Sequence, residues 1–199
     1  MKIISFEGYE YSGKSTQINL LQKYFKSKKI KSTFTREPGG NKELEKIRNI
    51  ILQSDFDNLS LILFFFASRF SLLSTMKKDN LVVFDRFFDS TYAYQKITAK
   101  DKALIINLIN HIDKKFIPTI TFYFKINKKT LLQRKMMRGQ KNYFDKKYAS
   151  HFTRIQSNYD EIAKMKIGKR KFITIDASKT KEIIHNEIVD HLKKCKLIK

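Results

Sequence analysis

The stretch GYEYSGKST at residues 8–16 sets the narrowest limits on the fold. A strand-like run, Ile3 to Glu7, precedes it, and a stretch with apolar residues at helical spacing follows it. The pattern G-x-x-x-x-G-K-[ST] is satisfied at Gly8, Gly13, Lys14 and Ser15. This pattern forms a phosphate-binding loop when a strand comes before it and a helix after it. The chain is therefore predicted to begin with a strand, a phosphate loop and a helix.

Short runs rich in Ile, Val and Phe alternate with longer stretches of helical periodicity along the rest of the chain. Strands are predicted near residues 2–7, 31–35, 80–85, 119–125 and 171–175. Helices are predicted over residues 14–28, 41–53, 58–77, 100–115, 128–137, 147–165 and 179–194. Such alternation is typical of a parallel sheet with crossover helices, whose ligands bind beyond the carboxyl ends of the strands.

We therefore predict one α/β domain over residues 1–199 with a three-layer P-loop NTPase fold. It should contain a five-stranded parallel sheet, helices on both faces and a short lid near residues 138–148.

The charge of the chain is strongly positive, with 41 Lys and Arg against 19 Asp and Glu and a net charge of +22. This excess suits anionic partners, including free nucleotides. The lysines are spread along the whole chain, so we do not expect a nucleic-acid partner. The longest apolar run, Leu61 to Ala67, is too short to span a membrane, and the lone Cys195 fits a reducing compartment. No signal peptide precedes the first strand, and we expect a cytoplasmic protein.

The glycines of the loop let backbone N–H groups turn toward the phosphates of ATP or GTP, where the amino end of the helix adds partial positive charge. Lys14 should bridge the phosphates, and Ser15 should bind Mg²⁺. The candidate ATP-binding residues are Gly8, Ser12, Gly13, Lys14, Ser15 and Thr16.

A second metal ligand is expected at the end of the apolar run 81–84. Asp85 follows this run directly, where a strand end would place its carboxylate beside the phosphates. Arg86 comes next and can make a forked contact to a second phosphoryl group. A surface ion pair is the alternative interpretation of this Asp-Arg pair.

Five segments follow one another in the order and spacing of bacterial thymidylate kinases (dTMP kinases). They are FEGYEYSGKST at 6–16, TREPGG at 35–40, FFFASR at 64–69, DRFFDSTYAYQ at 85–95 and IDAS at 175–178. The chain resembles this family over nearly its whole length, and the second and fourth segments together are highly specific. The resemblance implies that ATP and dTMP react, with Mg²⁺, to ADP and dTDP, and that the protein is a homodimer.

The resemblance also implies roles for residues of the acceptor pocket. Phe65 stacks on thymine, and Arg69 lies in the same pocket, one helical turn away. Thr91 and Gln95 hydrogen-bond the edge of the base, and Tyr94 fills the space of a ribose 2′-hydroxyl. Without the resemblance, Phe65 and Tyr94 would be interpreted as packing residues, and Thr91 and Gln95 as a polar helix face.

The remaining acceptor residues come from TREPGG and the phosphate loop. By resemblance, Arg36, Glu37 and Arg48 line the acceptor cleft, with Arg36 and Arg86 near the monophosphate. Glu10 matches the acidic residue near the deoxyribose 3′-hydroxyl and the metal. For Arg36 and Arg48, solvated arginines beside a structural turn are the alternative.

The basic segment RKMMRGQKNYFDKKY at 134–148 is interpreted as a lid that excludes water. Relatives without an arginine in the phosphate loop carry Asp-Arg in the lid, whereas Asn142 and Tyr143 stand here. Arg138 becomes the candidate lid arginine, and the predicted catalytic residues are Lys14, Arg86, Glu10 and Arg138. The alternatives are a kinase of another nucleoside monophosphate or of a deoxynucleoside, and a P-loop ATPase that binds nucleic acid.

Overall fold

The computed structural model describes residues 1–76, 81–138 and 148–198. Five strands form one parallel sheet in the order β2-β3-β1-β4-β5. The strands are β1 (Lys2–Gly8), β2 (Ser32–Arg36), β3 (Leu81–Asp85), β4 (Ile120–Lys125) and β5 (Lys171–Asp176). The predicted parallel α/β fold is confirmed.

Eight α-helices connect and flank these strands in the described part of the chain. They are α1 (Lys14–Ser27), α2 (Lys42–Gln53), α3 (Asn58–Ser74), α4 (Phe88–Gln95), α5 (Ala99–Asn110), α6 (Lys128–Arg138), α7 (Phe152–Ala163) and α8 (Lys181–Lys194). Short 3₁₀ turns lie at Lys114–Phe116 and Ala149–His151.

Helix α4 is absent from the helices predicted by periodicity. Its eight residues are all buried, so the segment has no polar face and gives no amphipathic pattern. Two predicted helices are also shorter than expected. The helix predicted over 100–115 ends at Asn110, and the one predicted over 147–165 begins at Phe152 after a 3₁₀ turn.

The sheet is the middle of three layers. Ile4 and Phe6 of β1 pack into a core cluster that includes side chains of α1 and α8. Val82 and Phe84 of β3 pack into a second cluster with side chains of α3 and α5. Coverage on both faces explains why the strands were recognisable as nearly continuous apolar runs.

The carboxyl ends of the strands meet at one edge of the sheet. Asp85 pairs in register with Arg36 on one side and Phe6 on the other, and Gly8 pairs with Phe124. The phosphate loop follows β1 at this edge, and α4 begins shortly after β3. Among the residues that the structure describes, no helix is long and apolar enough to cross a membrane.

Candidate active site

The backbone of the phosphate loop adopts conformations that favour glycine. Gly8 has φ 142° and Gly13 has φ 96°. A Cβ atom on Gly8 would lie 2.7 Å from the carbonyl oxygen of Phe124, so the close approach of β1 to β4 excludes a side chain there. Tyr11 has φ 62°, a left-handed conformation that costs a non-glycine residue about 1 kcal/mol.

The Lys14 side chain is folded against this loop. Its ammonium group donates to the carbonyl oxygens of Gly8 at 2.7 Å and Tyr9 at 2.9 Å. Burial and the nearby Arg86 guanidinium lower the pKa of Lys14 to about 8. The loop therefore holds a buried cation at the amino end of α1, where anions are favoured.

A cavity of about 440 Å³ lies beside the loop at the carboxyl edge of the sheet. It brings together most residues predicted for the site. The predicted residues that line it are Glu10, Ser12, Gly13, Lys14, Ser15, Thr16, Glu37, Arg48, Phe65, Arg69, Asp85, Arg86, Thr91, Tyr94 and Gln95. The phosphate loop thus shares one cavity with residues of α3 and α4.

A buried ion pair forms one wall of the cavity. Arg69 donates from Nε to Glu37 Oε2 at 2.7 Å and from Nη2 to the hydroxyl of Thr91 at 3.0 Å. The Arg69 side chain is 1% exposed and lies over the Phe66 ring at 4.6 Å. Burial raises the pKa of Glu37 to about 7, while Arg69 opposes this shift. Among the described residues, buried Arg69 Nη1 and Glu37 Oε1 have no hydrogen-bond partner.

A second charge cluster lies between the loop and α4. Arg86 donates from Nη2 to Glu10 Oε1 at 2.8 Å and from Nη1 to the carbonyl oxygen of Gly8 at 3.1 Å. The Tyr94 hydroxyl donates to Glu10 Oε2 at 2.6 Å, and the Arg86 guanidinium lies 5.2 Å from the centre of the Tyr94 ring. Thr91, Tyr94 and Gln95 of α4 form a side of the cavity that we call the α4 wall. The contacts of Arg86 hold it between the loop and this wall.

Gln95 is linked to Tyr148, the last residue of the predicted lid. The Gln95 side-chain amide donates to the hydroxyl of Tyr148 at 3.0 Å. The carbonyl oxygen of Tyr148 accepts from the Tyr9 hydroxyl at 2.7 Å, and the Tyr148 ring packs edge-on against Tyr94. One tyrosine at the end of the predicted lid therefore contacts both the phosphate loop and the α4 wall.

Two predicted site residues do not line the cavity, and the side chain of a third lies outside the described part of the chain. Gly8 lies at the base of the loop, where its carbonyl oxygen accepts from Lys14 and Arg86. Arg36 is 54% exposed and forms a two-point ion pair with Glu45, at 3.1 and 2.7 Å. Arg138 ends α6, and its side chain and most of the predicted lid lie outside the described residues.

The cavity thus joins a phosphate loop to a pocket of buried arginine, aromatic and amide groups. A family model described as thymidylate kinase matches residues 6–188 of the chain. The chain belongs to the thymidylate kinase family. It is therefore an ATP-dependent nucleoside monophosphate kinase, as the sequence predicted.

Individual members of the thymidylate kinase family match nearly the whole chain. The thymidylate kinase of Wolbachia pipientis subsp. Culex pipiens is 34% identical over 201 residues, covering 97% of this chain and 96% of the relative. That of Chlorobium limicola is 33% identical over 208 residues, covering 96% and 94%. The crystal structure of thymidylate kinase from Ehrlichia chaffeensis superimposes with a TM-score of 0.71 at 30% identity, covering 96% of this chain and 98% of that one.

The phosphate loop of this thymidylate kinase family member fits ATP and Mg²⁺. Gly8 lets β1 approach β4 closely at the base of the loop, and Gly13 opens α1 with no side-chain cap on its first N–H groups. Ser15 and Asp85 line the same cavity and supply the hydroxyl and carboxylate oxygens that Mg²⁺ prefers.

Sequence reasoning missed several residues that support the site. Glu7, Ser90 and Tyr159 form a hydrogen-bonded group behind Arg86. The signal for Glu7 was a carboxylate at the end of an otherwise apolar strand run, where only a partnered charge is tolerated. Tyr148 gave no comparable signal, because its contacts depend on how the end of the predicted lid packs against Tyr9, Tyr94 and Gln95.

A second cavity, of about 170 Å³, also adjoins the loop. It is lined by Gly13, Thr16 and Gln17 of the loop and α1, and by Arg134 of α6. Arg134 donates to the carbonyl oxygens of Tyr11 at 3.0 Å and Ala177 at 2.7 Å. The loop therefore borders two cavities.

Proposed function

We propose that this protein transfers the γ-phosphoryl group of ATP to dTMP, giving ADP and dTDP for nucleotide biosynthesis. One observation carries the proposal: a single cavity is lined on one side by the phosphate loop and on the other by the Arg69 and Gln95 pocket. Family membership supports the same reaction. The donor and acceptor would lie end to end across the carboxyl edge of the sheet.

The donor side would consist of the loop and the second cavity. The ATP phosphates would occupy the loop, where Lys14 exchanges its contacts to the Gly8 and Tyr9 carbonyl oxygens for phosphate oxygens. The second cavity beside Thr16 and Arg134 would hold the nucleoside part of ATP. Ser15 and Asp85 would hold Mg²⁺, which neutralises charge on the donor phosphates.

On the acceptor side, thymine would be recognised by side chains that are already held in place by their neighbours. Arg69 is held by Glu37 and Thr91 and still has an unpaired nitrogen for the base. Phe65 would stack on the ring, and the Gln95 side chain, anchored on Tyr148, would meet the base edge. Because these side chains are already held in place, they should lose less conformational entropy when dTMP binds.

The chemical step asks little covalent work of the protein. The attacking atom is a phosphate oxygen of dTMP, which is already anionic, so no general base is required. Catalysis then depends on alignment and on neutralising charge. Lys14 would act on the donor phosphates, and Arg86, held between Gly8 and Glu10, would act on the acceptor phosphate.

The lid and Arg138 stay part of the proposal as predicted. Arg138 would meet the transferred phosphoryl group when the segment 138–148 covers the site. The contact between Tyr148 and Gln95 supports a connection between the end of this segment and the acceptor pocket.

We also propose that the protein is a homodimer. Apolar side chains are exposed on neighbouring positions of α2 and α3, between 37% and 55% of their surface. They are Ile47, Ile50, Leu59, Leu63 and Phe64. A second copy of the chain would cover this face. Light scattering should give twice the chain mass of 23.6 kDa, and Leu63→Lys should give a monomer. A cytoplasmic location stays a prediction.

A coupled assay of ADP release with dTMP, dUMP, dCMP, dGMP and dAMP tests the acceptor. We expect the highest kcat/KM for dTMP. A cytidine or purine nucleotide as the best acceptor would contradict the roles of Phe65, Thr91 and Gln95. Phosphorylation of thymidine but not of dTMP would place the protein among deoxynucleoside kinases.

A further inference from the structure

Helix α4 begins without a capping side chain of its own. Its N-cap residue is Phe87, whose ring cannot accept a hydrogen bond from the first turn. Five other described helices begin with a capping side chain. These caps are Asn41 on α2, Asp57 on α3, Thr98 on α5, Asn127 on α6 and Thr180 on α8. The first N–H groups of α4 therefore need an acceptor from elsewhere in the fold.

Glu7 of β1 supplies this acceptor. One carboxylate oxygen, Oε1, accepts from the backbone N–H of Phe87 at 2.6 Å. The other, Oε2, accepts from the hydroxyl of Ser90 at 2.5 Å and from the hydroxyl of Tyr159 at 3.4 Å. Glu7 is completely buried. A buried carboxylate in a strand is costly, and these donors offset that cost.

The hydroxyl of Ser90 links Glu7 to Arg86 through two hydrogen bonds. Its proton is directed at Glu7, so a lone pair of its oxygen accepts from Arg86 Nη1 at 3.0 Å. The Tyr159 hydroxyl lies 2.9 Å from the same oxygen and 3.5 Å from Arg86 Nη1. Arg86 itself has φ 72°, a conformation that a non-glycine residue keeps only where its surroundings fix it.

We propose that Glu7 is a positioning residue for Arg86, acting through its hydrogen bonds to the Phe87 N–H and the Ser90 hydroxyl. The inference rests on the proposed function, in which Arg86 acts on the acceptor phosphate. Glu7 fixes the start of α4 with one oxygen and the direction of the Ser90 hydroxyl with the other. Arg86 is then held at its site before the acceptor binds, which is the preorganisation that phosphoryl transfer requires.

The other buried carboxylate of this region provides a matched control. Asp89 is also completely buried on α4, and Arg170 donates to both its oxygens at 2.7 and 2.8 Å. The structure gives Asp89 no hydrogen bond to Arg86, Ser90 or Tyr159 among the described residues. A purely structural role of Glu7 should therefore resemble that of Asp89.

The test is a double-mutant cycle with Glu7→Gln and Arg86→Ala, measured as kcat and as KM for dTMP and ATP. The amide oxygen of the introduced glutamine can still accept from Phe87, but its NH₂ group cannot accept from Ser90. We expect Glu7→Gln to lower kcat about tenfold to a hundredfold, with KM for ATP within about threefold of the wild type. In the Arg86→Ala background the same substitution should change kcat less than about twofold.

Ser90→Ala removes the hydroxyl between Glu7 and Arg86 and leaves the hydrogen bond from the Phe87 N–H to Glu7 in place. This variant therefore tests the positioning role even if Glu7→Gln does not fold. Its effect on kcat should likewise disappear in the Arg86→Ala background. The fold-losses of kcat caused by Asp89→Asn and by Arg86→Ala should multiply in the double variant, as for independent residues. If the fold-losses caused by Glu7→Gln and Ser90→Ala also multiply with that of Arg86→Ala, the positioning role of Glu7 is overturned. If Arg86→Ala alone keeps full turnover, the proposed function of Arg86 fails instead.

Discussion

The two sides of the cavity are built from different parts of the chain. The proposed donor side is mainly backbone: Gly8 and Gly13 adopt positive φ values, and Lys14 is bound to loop carbonyl oxygens. The proposed acceptor side is mainly side chain, because the buried pair of Arg69 with Glu37 is its centre. The phosphate group of the donor is common to all nucleoside triphosphates, whereas the acceptor base must be distinguished from other bases.

This difference indicates how each side can fail. A backbone cradle is lost when a side chain is added, and it tolerates changes at positions that point away from the phosphates. A wall of paired charges is lost when one partner is removed, because the other is left buried and alone. The donor side should therefore be sensitive to glycine substitutions, and the acceptor side to single charge deletions.

The largest effect is expected from Lys14→Met. This change removes the buried cation at the donor phosphates, and we expect kcat/KM for ATP to fall about 10²- to 10³-fold, as for loss of one preorganised donor. Calorimetry should show dTMP affinity within about threefold of the wild type. Lys23→Met, on an exposed position of the same helix, should leave both values unchanged. An equal loss of dTMP affinity would contradict the separation of the two sides.

Arg69→Met should break the acceptor side alone. It leaves the Glu37 carboxylate buried without its partner, at a cost of about 3 kcal/mol of unfolding free energy. Urea unfolding should show most of this stability restored in Arg69→Met/Glu37→Gln. The KM for dTMP should stay raised more than about tenfold in both variants, since the base contact is gone. Recovery of dTMP binding together with stability would reduce Arg69 to a structural role.

Gly8→Ala should break the donor side through the backbone. The added Cβ meets the Phe124 carbonyl oxygen at 2.7 Å, and we expect about 2 kcal/mol of lost stability with a raised KM for ATP. Gly168→Ala is the control, with φ 59° and a close contact of 3.1 Å to the side chain of Ile117 rather than to backbone. It should cost about 1 kcal/mol and leave KM for ATP unchanged. If Gly8→Ala and Gly168→Ala raised KM for ATP equally, the effect would not come from the backbone of the phosphate loop.

The two sides of the cavity should also differ in the pH dependence of kcat/KM. Lys14, with its pKa lowered to about 8 by burial, loses its proton above that pH, so kcat/KM for ATP should fall there. Glu37, with its pKa raised to about 7 by burial, gains a proton below that pH and releases Arg69, so kcat/KM for dTMP should fall there. Glu37→Gln should remove the part of the acid limb that does not come from dTMP itself. An acid limb unchanged in this variant would exclude Glu37 as its source.

The smallest effect is expected from Arg36→Ala. The sequence prediction placed Arg36 near the monophosphate, whereas its side chain is exposed and paired with Glu45 outside the cavity. We expect KM for dTMP to change less than about threefold, because an exposed ion pair contributes about 1 kcal/mol or less. Arg48→Ala is the comparison, since Arg48 lines the cavity and donates to the Pro38 carbonyl oxygen at 2.7 Å. A tenfold effect of Arg36→Ala would show that this pair opens toward the acceptor.

The fold could be predicted from sequence where the pattern is local. Five apolar runs gave the five strands, and the loop motif located the start of α1. Helix α4 was not found by periodicity, because its complete burial removes the alternation of polar and apolar faces. Burial of this helix depends on α7, which lies more than fifty residues further along the chain.

The site could be predicted as a set of residues but not as a set of partners. Motif spacing named the residues, and the structure shows fifteen of them lining one cavity. The pairings of Arg69 with Glu37 and of Gln95 with Tyr148 join positions 32 and 53 residues apart. Nothing in the local sequence encodes such distances, and the same holds for the contact of Glu7 with Ser90. The roles of these residues in the reaction stay predictions.

We propose that ATP and dTMP lie end to end between the loop and the α4 wall. An inhibitor that joins adenosine and thymidine through a chain of phosphates provides the test of this arrangement. We expect the inhibitor to compete with both ATP and dTMP, and to bind with an affinity well above that of either nucleotide alone, because the second contact becomes intramolecular. Competition with only one of the two substrates, at the affinity of a single nucleotide, would exclude the arrangement.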